Sequence, residues 1–136
     1  MSADFTIIVN VRQGFGNEPG YLSSIEPNVP FVGPTKDFTF SCPNVNPNES
    51  AVLMFQSRDV DVTRNIITIN SRNVPGGIPV SPNKNTWNGN VLLVERGTLR
   101  ASGNALHIES RNSSGGGGGD IDDFILDNVV VMYKTR

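Results

Sequence analysis

The chain has 136 residues, of which 37% are hydrophobic and 18% charged, with a formal net charge of -2. This composition predicts one folded domain over residues 1–136, large enough for its own core. The charge balance supplies no basic stripe, so nucleic acid is not an expected partner, and no apolar run reaches the ~20 residues of a membrane span.

The N-terminal segment and the cysteine count bear on where the chain is made. Its start, "MSADFTIIVNV", lacks a basic region followed by a long apolar one, so no secretory signal is predicted. Cys42 is the only cysteine, which excludes an intrachain disulfide. We expect synthesis in a cytoplasm, and the sequence leaves the final location open.

Period-two alternation of apolar residues recurs along the chain, beginning with Phe5, Ile7, Val9 and Val11 on one face of the first segment. At least seven strands are predicted, at residues 4–12, 37–42, 51–55, 65–70, 90–95, 105–110 and 124–133. Clusters of Gly, Pro, Asn and Ser separate them and supply turns. The predicted fold class is all-β, an antiparallel sandwich or jelly roll with essentially no long helix.

Two of these segments depart from simple alternation. The segment "AVLMF" at 51–55 is continuously apolar, which favours a central strand covered on both faces. In the last strand the apolar parity changes near Asp127 and Asn128, which predicts either a β-bulge there or burial on both faces.

No enzymatic motif stands out, and we do not expect an enzyme. There is neither a P-loop nor a Gly-x-Ser-x-Gly elbow, and His107 is the only histidine. Alternation places His107 on the face opposite Leu106 and Ile108, as an ordinary half-exposed residue or a polar contact in a ligand groove. Cys42 shares parity with the core residues before it and is interpreted as a core residue.

The segment "SSGGGGGDIDDF" joins a glycine run to three carboxylates, Asp120, Asp122 and Asp123. In the simpler interpretation the glycines form a hairpin tip, Asp120 and Asp122 are solvated, and Asp123 accepts backbone hydrogen bonds at the strand start. The alternative is a calcium site formed by the three aspartates, with Asp59 and Asp61 as further ligands. Calcium is the only cofactor that the sequence suggests.

Trp87 lies in the polar turn "NKNTWNGN". It could fold inward and close one end of the sandwich, or stack on the apolar face of a sugar while neighbouring amides bond the hydroxyls.

The segments "NIITINSRNVPGGIPVS" and "TWNGNVLLVERGTLRASGNALHIESRN" resemble the galactose-binding-like jelly roll of carbohydrate-binding modules and of the sugar-binding domains of family 2 glycoside hydrolases. The resemblance covers residues 51–133. It implies structural roles at the start of one strand, where Gly103 permits a tight turn, Asn104 caps it, and Leu106 and Ile108 enter the core.

The leading functional hypothesis is a non-catalytic, lectin-like module that binds carbohydrate through loops or a concave face. Its expected ligand contacts are Trp87, Asn85, Asn88, Arg72 and His107. Multivalency would favour homo-oligomerisation or tethering of such a weak site. The alternative is a structural or assembly subunit that uses the same sandwich for protein–protein contacts.

Overall fold

The computed structural model describes residues 2–136. Within this range the chain forms ten strands and one helix. They are β1 Ala3–Val9, β2 Gln13–Phe15, α1 Pro19–Ile25, β3 Phe31–Gly33, β4 Thr35–Phe40, β5 Ala51–Arg58, β6 Ile66–Ile69, β7 Arg72–Asn73, β8 Asn88–Val94, β9 Asn104–Glu109 and β10 Phe124–Lys134. The all-β prediction is confirmed, and each of the seven predicted strands is present.

The strands form two sheets. In the six-stranded sheet the order is β3-β2-β10-β5-β8, and β1 pairs with the C-terminal part of β10. In the four-stranded sheet the order is β4-β9-β6-β7. All pairings are antiparallel except that between β2 and β3.

One hydrophobic core draws on the inner residues of both sheets. Leu53 from the six-stranded sheet and Leu106 from the four-stranded sheet are fully buried in it. The ring of Phe15 stacks on that of Phe124 with a centroid distance of 5.3 Å. Cys42 is buried in the same cluster, as predicted.

The change of parity in β10 is a bulge, which is one of the two alternatives predicted for it. The register with β5 shifts between Asp127 and Val130, and Asn128 adopts a left-handed backbone with φ of 50°. Asparagine tolerates this conformation better than most residues. The bulge lets Leu126 and Val129 both enter the core.

A second irregularity changes the face of β1. The register with β10 shifts between Ile7 and Val9, so Phe5 and Ile7 are exposed while Val9 is buried. The expectation that Phe5, Ile7, Val9 and Val11 share one face is therefore wrong at Val9.

The short helix α1 was not expected, because it begins in one of the Gly-, Pro- and Asn-rich segments that were interpreted as turns. Proline suits the first turn of a helix, where its backbone nitrogen needs no partner. The helix buries Leu22. Among residues 2–136 no helix has the length and apolar character required to cross a bilayer.

Candidate functional site

The outer face of the six-stranded sheet carries two adjacent rows of apolar side chains, each crossing β1, β10, β5 and β8. The strand register defines both rows. The first row is Phe5, Met132, Val52 and Leu93, and the second is Ile7, Val130, Met54 and Val91. We call these eight residues the apolar face.

Much of the apolar face is open to solvent. Five members, Phe5, Ile7, Val91, Leu93 and Met132, expose between 43% and 67% of their surface, and the other three are half-buried. These exposed fractions amount to an apolar patch on the order of several hundred Å². The largest patch on a typical monomer has a similar size, and such patches are often functional.

The expectation that β5 is covered on both faces is wrong. Its inner residues Ala51, Leu53 and Phe55 are buried, but its outer residues Val52 and Met54 are only half-buried. The described chain therefore covers one face of this strand and leaves the other open.

Polar groups border the apolar face at both ends. At one end are Lys134, paired with Ala3, and the exposed Glu95 that directly follows β8. At the other end the Asn128 amide donates to the Gln56 side chain at 2.6 Å. An apolar centre with a polar rim is the usual anatomy of a protein interface.

The strand β8 forms one edge of the six-stranded sheet. Residues 88–94 contain neither a charged residue nor a proline, the features with which sheet edges usually block pairing with other chains.

The outer face of the four-stranded sheet has the opposite chemistry. One row across its four strands is Asp37, His107, Thr68 and Asn73. Thr35, Thr39 and Glu109 lie on the same side, with Ile66 and Ala105 as its apolar members. We call these nine outward-facing residues the polar face.

His107 lies on this polar face, as alternation predicted. Its Nδ1 bonds the carboxylate of Asp37, and its Nε2 lies 3.8 Å from a carboxylate oxygen of Glu109. No hydroxyl or thiol nucleophile bonds its ring among the hydrogen bonds of the described residues.

The structure separates the five residues predicted to contact a ligand. Asn85, Trp87 and Asn88 lie together at the start of β8 in the six-stranded sheet. Arg72 and His107 lie on strands of the four-stranded sheet, and the Arg72 guanidinium turns away to donate to the Arg96 carbonyl at 3.2 Å.

Trp87 is half-buried, with the Arg12 guanidinium carbon 5.8 Å from its ring centroid. Nearby, Arg58 donates to the Asn85 carbonyl at 3.4 Å and to the Glu26 carboxylate at 3.0 Å. One side of the indole is therefore occupied by a cation of the same chain.

The acidic segment before β10 connects distant loops. An oxygen of Asp122 accepts hydrogen bonds from the backbone N–H groups of Asp61 and Val62 and from the Asn65 amide, at 2.8–3.0 Å. Asp123 accepts from the backbone N–H groups of Asn17 and Glu18, both at 2.9 Å. These bonds hold the segment that precedes β10 against the loops that contain residues 17–18 and 61–62.

Asp123 has the predicted role, but the expectation that Asp122 is solvated is wrong, since it is 5% exposed. Burial raises the pKa of Asp122 to about 6, although the three hydrogen bonds act in the opposite direction. Gly16 lies against Asp123, and a Cβ at Gly16 would come 2.0 Å from the carboxylate. Neither contact leaves a periodic signal in the sequence.

A second buried carboxylate belongs to Asp59, which directly follows β5. The Tyr21 hydroxyl donates to one of its oxygens, and the other has no hydrogen-bond partner in the described structure. Burial raises the pKa of Asp59, and the bond to Asp59 is the main cause that raises the pKa of Tyr21 to about 12.

Asp120 is exposed and lines an open pocket of about 240 Å³ with Glu18, Tyr21 and Asp61. Across residues 2–136, no three His, Cys, Asp or Glu side chains converge in a way that could hold a metal ion. One oxygen of Asp122 and one of Asp123, both expected as calcium ligands, instead accept hydrogen bonds from backbone and amide donors.

The glycine run connects the two sheets. Because β9 pairs only within the four-stranded sheet and β10 within the six-stranded one, the expectation of a hairpin tip is wrong. The Asn112 side chain accepts from the N–H groups of Ser114 and Gly116 and donates to the Gly118 carbonyl, at 2.9–3.0 Å.

The turn before β9 has the local geometry expected of Gly103 and Asn104. Gly103 has a positive φ of 69°, and Leu106 and Ile108 are buried. Asn104 accepts from the Arg100 N–H at 2.9 Å and donates to the Arg100 carbonyl at 2.8 Å, which closes the turn.

No protein-family model matches the chain, and comparison with curated proteins finds no significant match.

Proposed function

We propose that this protein is a structural or assembly subunit, and that its apolar face packs against another protein subunit. The observation that carries the proposal is the pair of in-register apolar rows on four adjacent strands, with five of eight side chains widely exposed. Water contact with such a surface is unfavourable, and association removes it.

The face is not needed to complete the fold. The inner residues of the same strands already join a continuous core, with Leu53 and Val131 fully buried. Strands with a buried inner face can form a sheet with a polar outer face, as they do in the four-stranded sheet. The regular apolar outer rows therefore favour a role in contact with another molecule.

We further propose that the two sheets form a jelly-roll sandwich of the galactose-binding-like type. The resemblance over residues 51–133 and the closed turn at Gly103 and Asn104 support this. The proposed role is non-catalytic.

The test is the size of the species that contains the chain, measured by sedimentation velocity for purified protein and for extract of the cells that make it. We expect a species larger than the 14.7 kDa monomer. The double change Ile7→Glu with Val91→Glu places charge at both edges of one apolar row and should yield the monomer.

The matched control is Thr35→Glu with Thr39→Glu, two exposed outward positions on the polar face. It adds the same charge and should leave the assembled size unchanged. A wild-type chain that sediments as a monomer in both preparations would contradict the proposal.

Carbohydrate binding is a second proposed function, favoured by the polar row of Asp37, His107, Thr68 and Asn73. Such a row offers several donors and acceptors to sugar hydroxyls. A glycan array with calcium and with a chelator tests it, using His107→Ala and Trp87→Ala. Loss of a hit only with His107→Ala assigns the polar face, and loss only with Trp87→Ala assigns the loop before β8.

A further inference from the structure

We infer that the pocket of about 240 Å³ beside the acidic segment binds an alkylammonium group, the group carried by a lysine side chain or by a free aliphatic amine. Five of the thirteen acidic residues of the chain line this pocket, namely Glu18, Asp61, Asp120, Asp122 and Asp123, and no lysine or arginine lines it with them. We call it the acidic pocket. It shares no residue with the apolar face, so the inference goes beyond the proposed function.

The negative charge of the acidic pocket is not balanced by ion pairs within residues 2–136. None of the six ion pairs in this range includes any of the five carboxylates. Glu18, Asp61 and Asp120 are exposed, and of these three residues only backbone N–H groups bond the buried aspartates. Carboxylates grouped in this way repel one another, and a cation among them stabilises their ionised forms.

Asp122 presents an incompletely bonded carboxylate to the acidic pocket. It is 5% exposed, and its three hydrogen bonds from Asp61, Val62 and Asn65 all end on Oδ2. Its Oδ1 has no partner among the described residues. That atom is still accessible, because the only unpartnered polar side-chain atom sealed from solvent in residues 2–136 is Oδ1 of Asp59. The acidic pocket is the opening that Asp122 lines, so Oδ1 is available there to a donor.

Asp123 has the same arrangement, and it selects the kind of cation. Asp123 is 9% exposed, and both of its hydrogen bonds, from the N–H groups of Asn17 and Glu18, end on Oδ1. Each buried carboxylate therefore keeps one oxygen free. The fork of a guanidinium bonds both oxygens of one carboxylate. An ammonium has three donors that can reach single oxygens of separate carboxylates, so it suits the buried pair better.

A metal ion fits the acidic pocket less well than an ammonium. Calcium requires six to eight oxygens within about 2.6 Å, and nowhere in residues 2–136 do three acidic side chains converge on one point. Hydrogen bonds from an ammonium span about 2.7–2.9 Å and need no closed shell of ligands.

The walls of the acidic pocket are already in place for such a ligand. The hydrogen bonds to Asp122 and Asp123 hold the loops at 61–62 and 17–18 against the same segment. Tyr21 and Val62 add apolar surface to the lining, which the aliphatic stem of an alkylammonium can contact. A site whose groups are held before binding loses less entropy on binding.

The test is an NMR titration of the ¹⁵N-labelled full chain with n-butylammonium chloride, followed at the backbone amides of residues 61–62 and 120–123. We expect saturable shifts at these amides and weaker binding at higher salt, because salt screens the attraction. n-Butanol has the same stem without the charge, and it should bind at least about tenfold more weakly.

Asp61→Asn with Asp120→Asn removes two charges at exposed positions and should weaken binding by about 2- to 30-fold. The matched control, Asp4→Asn with Glu95→Gln, removes two exposed carboxylates outside the acidic pocket and should leave the affinity unchanged. A blocked Gly-Lys-Gly peptide distinguishes the two sources of the group. Binding as tight as that of n-butylammonium assigns a lysine side chain, and binding of the free amine alone assigns a small ligand.

Four results would overturn the inference. Wild-type protein without saturable shifts at these amides would exclude the site, and n-butanol bound as tightly as n-butylammonium would exclude recognition of charge. Equal affinities for the pocket variant and the matched control would place the ligand elsewhere. Calcium chloride that saturates the same amides more tightly than n-butylammonium would make the pocket a metal site. Each result leaves the proposed function of the apolar face unchanged.

Discussion

The two sheets present opposite chemistry to solvent, although both contribute alternating strands to the same core. Across β1, β10, β5 and β8 every member of two outer rows is apolar. Across β4, β9, β6 and β7 the central outer row is Asp37, His107, Thr68 and Asn73. The difference shows that folding alone does not require an apolar outer surface, so the apolar face needs a separate explanation.

The largest expected effect is on β5, where inner and outer residues alternate and can be substituted separately. Leu53→Ala should lower the free energy of unfolding by about 2–5 kcal/mol, because it opens a cavity at a fully buried site. Met54→Ala should cost under about 1 kcal/mol when the chain is diluted to monomer, since its site is only half-buried.

Chemical denaturation of both variants at low protein concentration measures this difference, and sedimentation measures the association. We expect Met54→Ala to weaken association more than Leu53→Ala does. Equal losses of monomer stability would mean that the outer side of β5 belongs to the folding core.

A change of pH should separate the stability of the fold from association through the apolar face. The pKa of Asp122 is about 6 when folded, against an ordinary value of 3.8 for an aspartate, so the folded state binds its proton more tightly than the unfolded state does. The resulting stability is complete below the lower value and is lost as the pH rises through about 6.

We therefore expect the free energy of unfolding to increase by about 1 kcal/mol between pH 7.5 and pH 5, with Asp59 acting in the same direction. Asp122→Asn keeps an acceptor oxygen and should flatten this dependence. The apolar face contains no titratable side chain, so the pH change should not act on it directly. Thermal unfolding across this range is the measurement, and a wild-type slope retained by Asp122→Asn would refute the assignment.

The smallest effect is expected on the polar face. His107→Ala removes a partly exposed contact with Asp37, and exposed pairs contribute about 0–1 kcal/mol. Denaturation should detect at most that loss, and sedimentation should be unchanged. A change in assembled size would show that the polar face also contacts a partner.

The sequence predicted most of the long strands because period-two alternation persists over several residues, and it predicted β5 from the continuous apolar run at 51–55. The parity change at Asp127 and Asn128 indicated either a bulge or burial on both faces, and the structure has the bulge. The strands β2, β3 and β7 have only two or three residues, too few to display a period. Helix α1 begins with a proline in a segment interpreted as a turn, although proline suits the first turn of a helix.

The candidate site was harder to predict for a physical reason. The run at 51–55 indicated burial on both faces, and hydrophobicity cannot distinguish burial inside a fold from burial against a partner. Asp122 was expected in solvent because its partners, the backbone around Asp61 and Val62, are about 60 residues away in the chain. Long-range contacts of single polar residues leave no periodic signal.

The most direct test of the interface is oxidation of Met54 and Met132 by hydroxyl radicals, followed by mass spectrometry. Wild-type protein in its largest species should be compared with the Ile7→Glu/Val91→Glu variant, with Tyr21, which is 38% exposed outside the apolar face, as an internal reference. We predict severalfold slower oxidation of both methionines in wild type at an unchanged rate for Tyr21. Equal methionine oxidation in the two proteins would contradict the assignment of the apolar face as an interface.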